Sequence, residues 1–361
     1  MTASPGPDQS AQVIVVGAGL SGLQAAHGLE QAGISCIVLE ARQHAASPVW
    51  YHGVDSSHHG RLGSLARKMG VELSAPEAHG SVAFALEINS SFVRVRDNLE
   101  SLCHRIDINR PARHVPNYGS STLHELVVSQ GGDAAVQAVA ESWAQGLFGL
   151  SAHHVSALYF LVHCKSAGGV VHLLSALEKE PSPTRERQLH DLCRELASRL
   201  RPGSLQLGQS VEAVDQRRRN QCVVSTKSGQ VFSSTYVLVA DAASHCRSLC
   251  FLPDLSDDKQ WLRGSVAVTD THRLCLDCTT CALGSGLHER RASPCLAVPA
   301  ERLGELERDQ WRPEGAVFFA GADTSYVWRG HAEGALTAAD RAVDEVLRAM
   351  GRVAEVPMSR L

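Results

Sequence analysis

The stretch Gln12-Val-Ile-Val-Val16-Gly17-Ala-Gly19-Leu20-Ser21-Gly22 decides the fold. Residues 12–16 form an apolar, β-branched run, the composition of a strand buried on both faces of a parallel sheet. Three glycines in a G-x-G-x-x-G spacing follow at once. A helical pattern then runs from Leu23 to Gln31 and ends at Ala32-Gly33, glycine being a natural helix stop. Ile34-Ser-Cys-Ile-Val-Leu-Glu40 reads as a second buried strand. The result is a β–α–β unit in about thirty residues, the context that makes the glycine spacing meaningful. Gly17 permits the tight turn, Gly19 lets a pyrophosphate approach the backbone, and Gly22 lets helix and strand pack closely. The helix N-terminus faces the phosphates with its unpaired amides. Glu40 is placed to accept hydrogen bonds from the adenosine ribose hydroxyls. The alternative is a plain βαβ unit without a nucleotide. The motif alone does not separate FAD from NAD.

Outward from this unit the pattern is helical, then stranded. Gly60–Met69, Ala134–Leu147 and Thr184–Leu200 have helical spacing of apolar positions, the last ending at Arg201-Pro202-Gly203. Leu205–Gly208, Ser210–Asp215, Cys222–Thr226 and Tyr236–Ala240 read as short strands separated by turn residues. Gly315–Gly321 is another strand, and a helix from about Gly334 to Met350 closes the fold. Between Leu255 and Trp311 neither a long helix nor a strand pair is evident.

The chain of 361 residues suits roughly two domains. With 44% hydrophobic and 20% charged residues it has ample surface to bury, which excludes disorder as its main state. A net charge of −4 argues against a nucleic-acid partner. No apolar run approaches the roughly 20 residues needed to span a bilayer, so no membrane partner is expected. The 11 cysteines are odd in number and no secretory leader is evident, which suits free thiols.

A second segment resolves the cofactor. Phe319-Ala-Gly321-Ala322-Asp323-Thr-Ser-Tyr-Val-Trp328-Arg-Gly330-His331-Ala-Glu333-Gly334-Ala335 resembles the C-terminal signature of the flavin-containing amine oxidase family. That signature reads Phe-Ala-Gly-Thr-Glu-Thr-Ser-x-x-Trp-x-Gly-Tyr-x-Glu-Gly-Ala. The resemblance also takes in Glu40-Ala41-Arg42, Val211–Asp215 and Tyr236–Ala240. Residues 154–161 and 293–303 are similar to fungal-type monoamine oxidases.

The resemblance implies an α/β fold: a Rossmann-type FAD-binding domain (10–75, 203–255 and 310–352) interleaved with a smaller, mostly helical substrate domain (76–202 and 256–309), with flexible ends at 1–9 and 353–361. It implies FAD as cofactor, and an amine and O2 as small-molecule partners. The cofactor would be held at Gly17, Gly19, Leu20, Ser21, Gly22, Glu40, Ala41, Arg42, Val211 (adenine, through its backbone), Gly321, Ala322, Asp323 and Glu333. Trp328 and His331 would face the substrate. No catalytic acid or base is assigned. Cys295 lies where some members attach the flavin covalently, and non-covalent FAD is the alternative.

The departures bear on activity. After Glu40-Ala41-Arg42 the family continues with Asp-Arg-x-Gly-Gly-Arg; here the Gly-Gly-Arg is absent, and Arg61 is the candidate substitute for its arginine. Val268 stands where the family has a lysine, and His331 where it has tyrosine. Three functions follow as expectations: amine oxidation to an imine with H2O2 released, an inactive family member with a binding or regulatory role, or an L-amino-acid oxidase or related flavin oxidoreductase. Cys275, Cys278 and Cys281 have metal-ligand spacing, with Cys295 or His272 as a fourth ligand. The alternative is a loop of free thiols, and no metal is expected. The final Ser359-Arg360-Leu361 resembles a peroxisomal import tripeptide. The expected location is therefore the peroxisome, with the cytoplasm as alternative.

Overall fold

The computed structural model describes residues 9–45, 60–73, 90–108, 111–118, 121–148, 150–177, 183–240, 267–270, 273–275, 313–325, 327–328 and 330–352. Cys278, Cys281, Cys295, His272 and the Ser359–Leu361 tail lie outside the described residues, so the metal, covalent-flavin and import expectations do too.

The opening βαβ unit forms as read. Strand β1 (Ser10–Val16) leads to helix α1 (Leu20–Gln31) and strand β2 (Cys36–Leu39). Helix α1 starts three residues earlier than its apolar pattern, because Gly19 in extended conformation caps it. Helices α2 (Gly60–Met69), α3 (Ser90–Arg105), a short α4 (Val115–Tyr118), α5 (Leu123–Ser129), α6 (Ala134–Phe148), α7 (Ala157–Ser166), α8 (Val170–Leu177) and α9 (Pro183–Ser198) follow. Strands β3 (Leu205–Gln206), β4 (Val211–Arg218), β5 (Gln221–Thr226), β6 (Val231–Val239), β7 (Ala267–Asp270), β8 (Arg273–Cys275) and β9 (Val317–Phe319) precede the last helix, α10 (Ala332–Ala349).

One sheet runs β3-β2-β1-β6-β5-β4-β8-β7, with β9 also on β6. Strands β3, β2, β1, β6 and β9 are parallel, and β6, β5, β4, β8 and β7 are antiparallel. Strand β6 joins the two kinds of pairing. Its first half pairs with β5 and its second half with β9, while β1 lies along its other side. Only the second half was expected as strand. Ser233 and Ser234 in its first half are buried and dilute the apolar signal there. The β7–β8 pair corrects the reading of 255–311 as lacking strand pairs: it extends the sheet at the β4 edge. Three- and four-residue strands are too short to leave a period in sequence.

The parallel strands separate two apolar layers. Val13, Val15 and Val38 face Leu20, Leu23, Leu62, Ala335 and Ala339 of α1, α2 and α10. Ile14, Val16, Ile37 and Leu39 face Val214, Val224 and Phe232 of the antiparallel strands. Alternation of this kind on both faces is why residues 12–16 read as continuously apolar. Helix α9 packs in the first layer through Leu189, Leu192 and Leu196. It therefore joins the FAD-binding half, although the expected boundary at 202 put it in the substrate half. Helices α3 and α5–α8 build a separate core around Leu99, Trp143, Phe160 and Leu173. Thr122 opens α5 with a capping box, its Oγ1 accepting the Glu125 amide at 3.2 Å while Glu125 accepts the Thr122 amide at 2.8 Å.

Candidate functional site

The loops after β1, β2 and β9 leave the sheet at the carboxyl ends of parallel strands, the edge at which open α/β sheets bind ligands. At Gly17 the chain turns with φ +99°, a conformation that favours glycine. Its amide donates to the Leu39 carbonyl at 2.8 Å, tying the turn to β2. A Cβ on Gly22 would lie 2.0 Å from the Gly17 carbonyl oxygen and 3.2 Å from the Ala240 Cβ, so only glycine allows α1 to pack this close. Gly19 caps α1 without a side-chain hydrogen bond, and the first turn carries no acidic side chain. Such a helix start suits an anion.

Glu40 is buried, and both carboxylate oxygens accept backbone amides: Ala18 at 2.7 Å on Oε2 and Arg42 at 2.9 Å on Oε1. Each oxygen has a second lone pair for a hydroxyl donor. Ala41 and Arg42 are exposed, and the Arg42 carbonyl accepts the Gly208 amide. Val211 begins β4, buried and paired with Thr226.

The other end of the chain meets this one. The buried Ser21 hydroxyl donates to the Ala320 carbonyl. Beyond β9 a 3-10 turn, Ala322–Thr324, starts at Gly321. The Gly330 amide returns to the Ala322 carbonyl at 3.0 Å, closing the loop. Asp323 lies within that turn. The structure thus brings Gly17, Gly19, Leu20, Ser21, Gly22, Glu40, Gly321 and Ala322 to one edge of the sheet.

Glu333 takes a role that sequence did not suggest. Its Oε1 and Oε2 accept the amides of Arg61 at 3.0 Å and Leu62 at 2.9 Å, so it caps α2 from the first turn of α10. Burial pushes its carboxyl up from the ordinary carboxylate value, while the two amides and the Arg61 guanidinium pull it back. Arg61, the candidate substitute for the missing family arginine, forms an exposed ion pair with Asp340.

Trp328 and His331 lie together but are enclosed. The Trp328 indole is 4% exposed and belongs to the core of the helical half. Its φ is +47°, rare for a bulky side chain. Its amide donates to the Ser166 carbonyl at the end of α7, at 2.9 Å, and its carbonyl accepts the His331 amide at 3.0 Å. A Cβ on Gly334 would sit 2.2 Å from that carbonyl oxygen, so Gly334 is what lets the turn lie against α10. His331 stands 5.4 Å from the indole and 5.9 Å from the His163 ring, centroid to centroid. His163, buried on α7, was not singled out in sequence. A lone histidine in an apolar helix gives no signal until the fold sets another ring beside it.

Residues 10–79 match the family model described as an FAD binding domain. Amine oxidase [flavin-containing] B of Mus musculus is 21% identical in an alignment spanning 95% of this chain and 87% of that protein. Amine oxidase [flavin-containing] A of Equus caballus is 48% identical over 44 residues, 12% of this chain and 8% of that protein.

Along nearly its whole length the chain is similar to the flavin-containing amine oxidases.

Its cofactor is FAD. Two solved structures share the fold of this chain. Putrescine oxidase bound to putrescine superposes with a TM-score of 0.64 at 17% identity, covering 94% of this chain and 99% of that one. Cyclohexylamine oxidase from Brevibacterium oxydans IH-35A gives 0.66 at 16% identity, covering 95% and 100%. The alignment with the mouse relative runs to 458 positions against 361 residues here, so this chain carries gaps relative to it. The groups described above fit the dinucleotide: glycine-lined amides at α1 as donors to the diphosphate, and the buried Glu40 carboxylate as acceptor for the ribose hydroxyls.

Proposed function

We propose that the protein oxidises a neutral amine to an imine, with O2 reduced to H2O2. The observation that carries this reading is the convergence of both chain ends on one site. The β1–α1 turn and Glu40 meet the β9–α10 turn through Ser21 and Ala320. FAD supplies the redox chemistry when bound, accepting two electrons from the amine α-carbon and passing them to O2. The chain supplies binding and orientation. The α1 amides would take the diphosphate, Glu40 would accept from the ribose, Val211 would hold the adenine through its backbone as the resemblance implies, and the Gly321–Asp323 turn would take the rest of the cofactor. His331, at the start of α10 beside Trp328, stands where the family has a tyrosine. The resemblance would turn this imidazole, in place of a phenol, toward the substrate.

The test is the visible spectrum of the purified full chain, followed anaerobically with a panel of primary amines. Flavin bands that bleach with an amine, and H2O2 on readmitting air, support the reading. Flavin bands that no amine bleaches overturn it in favour of a binding or regulatory role. One observation favours that second reading. The amides at the start of α2 are occupied by Glu333, and Arg61 is engaged by Asp340, where the family presents an arginine to the cofactor.

A further inference from the structure

Three consecutive carbonyls at the end of β9 are each tied back by a side chain. Phe319 O accepts from Nη2 of Arg341 at 2.9 Å. Ala320 O accepts from Ser21. Gly321 O accepts from Oγ1 of Thr324 at 2.7 Å. The first and third of these share one source, because Arg341 Nη2 also donates to Thr324 Oγ1 at 2.8 Å. A relay therefore runs from the guanidinium through the Thr324 hydroxyl to the Gly321 carbonyl. Arg341 Nη1 meets Glu345 Oε1 at 3.0 Å, one helical turn along α10, with both side chains largely buried at 11% and 16% exposure.

This arrangement is built for precision. A buried guanidinium is costly unless its donors are used, and here they reach three elements: β9, the 3-10 turn and α10 itself. Lysine cannot do the same, since one ammonium on a flexible stem lacks the planar fork. The turn held in this way lies at the carboxyl ends of β6 and β9, against the first turn of α1. That is the edge at which a dinucleotide must pass. Burial pushes the Glu345 carboxyl up while Arg341 pulls it down, so the pair is electrically coupled.

We propose that Arg341 is a positioning residue of the FAD site, setting the path of the Gly321–Thr324 turn against the cofactor without touching it. The role does not depend on which substrate is oxidised. FAD affinity is measured without any amine, so failure of the amine-oxidase reading leaves this inference standing.

The experiment compares full-length wild type with Arg341→Gln, Arg341→Lys and Thr324→Val, after removal and titration of FAD. The readouts are flavin fluorescence quenching, the visible circular dichroism of the bound flavin, and amide exchange of residues 319–325 without FAD. Arg341→Gln is expected to weaken FAD binding about tenfold or more, the worth of one charge-assisted hydrogen bond, to alter the dichroism and to speed turn exchange. Arg341→Lys recovers part of the affinity. Thr324→Val, nearly isosteric, shows the same changes in smaller measure. Wild-type affinity and dichroism in Arg341→Gln, with only a lower melting temperature, overturn the proposal. Should Arg341→Gln fail to fold, Thr324→Val decides, and unchanged affinity and turn exchange there overturn it.

Discussion

The Ser21 hydroxyl donates to the Ala320 carbonyl, joining the first turn of α1 to the end of β9 across 299 positions of the chain. It is the point at which the two sequence signatures of the family become one site. Ser21→Ala removes the donor and leaves a buried carbonyl unsatisfied. The expected cost is about 1–3 kcal/mol of stability. Urea unfolding of the two proteins measures it, and FAD retention falls with it. Equal midpoints and equal flavin content would show that the bond holds nothing together.

Gly22→Ala puts a methyl group 2.0 Å from the Gly17 carbonyl oxygen. Neither partner is a side chain that can swing away, so α1 must shift off β1. A loss of roughly 2–4 kcal/mol is expected, at the severe end for overpacking. The same shift spoils the diphosphate site, so protein that still folds should purify without flavin. A folded, yellow Gly22→Ala protein contradicts the packing described here.

Glu40→Ala deprives the Ala18 and Arg42 amides of their acceptor and the ribose of its own. FAD affinity should drop by about 1–3 kcal/mol through lost charge-assisted hydrogen bonds. Glu40→Gln keeps one acceptor oxygen and should fall between. Isothermal titration of the flavin-free protein ranks the three, and an unchanged Kd for Glu40→Ala refutes the ribose assignment.

The pH dependence of stability carries the mark of Glu333 and Glu345, both held above the ordinary carboxylate value of 4.5 by burial. In the window from 4.5 up to those raised values, the folded protein binds more protons than the unfolded chain. Stability therefore falls as pH rises through that window. Glu345→Gln keeps an acceptor for Arg341 and removes one titrating group, so its curve should be flatter there. Urea midpoints from about pH 4 to about pH 8 test this. A wild-type curve that rises throughout, or a variant with the same slope, rejects it.

The cofactor half was legible because local rules decide it. Residues 12–16 had to be a doubly buried strand, and the G-x-G-x-x-G turn had to precede a helix, whatever the rest of the chain did. The acidic end of β2 and the Phe319–Ala335 signature pointed to FAD. The helix Gly60–Met69 was expected at the bounds it takes, because its apolar positions recur at helical spacing.

What the sequence could not decide was set by distance along the chain. Glu333 looked like a cofactor ligand, yet it caps α2, because only the folded protein brings residue 333 to residues 61 and 62. Arg341 sits in an Ala-rich helix whose only local mark is Glu345 four residues on, and its other two acceptors are named only once β9 and the 3-10 turn lie beside it. Helix α9 falls within the expected substrate segment but packs its leucines in the core of the first βαβ unit. Trp328 read as a pocket wall, and only the fold shows its indole buried in the core of the helical half with its amide on the Ser166 carbonyl. A turn, a strand or a helix start is written in neighbours a few residues apart, so sequence alone determined those. A partner hundreds of residues away is chosen by packing, and only the tertiary structure could choose it.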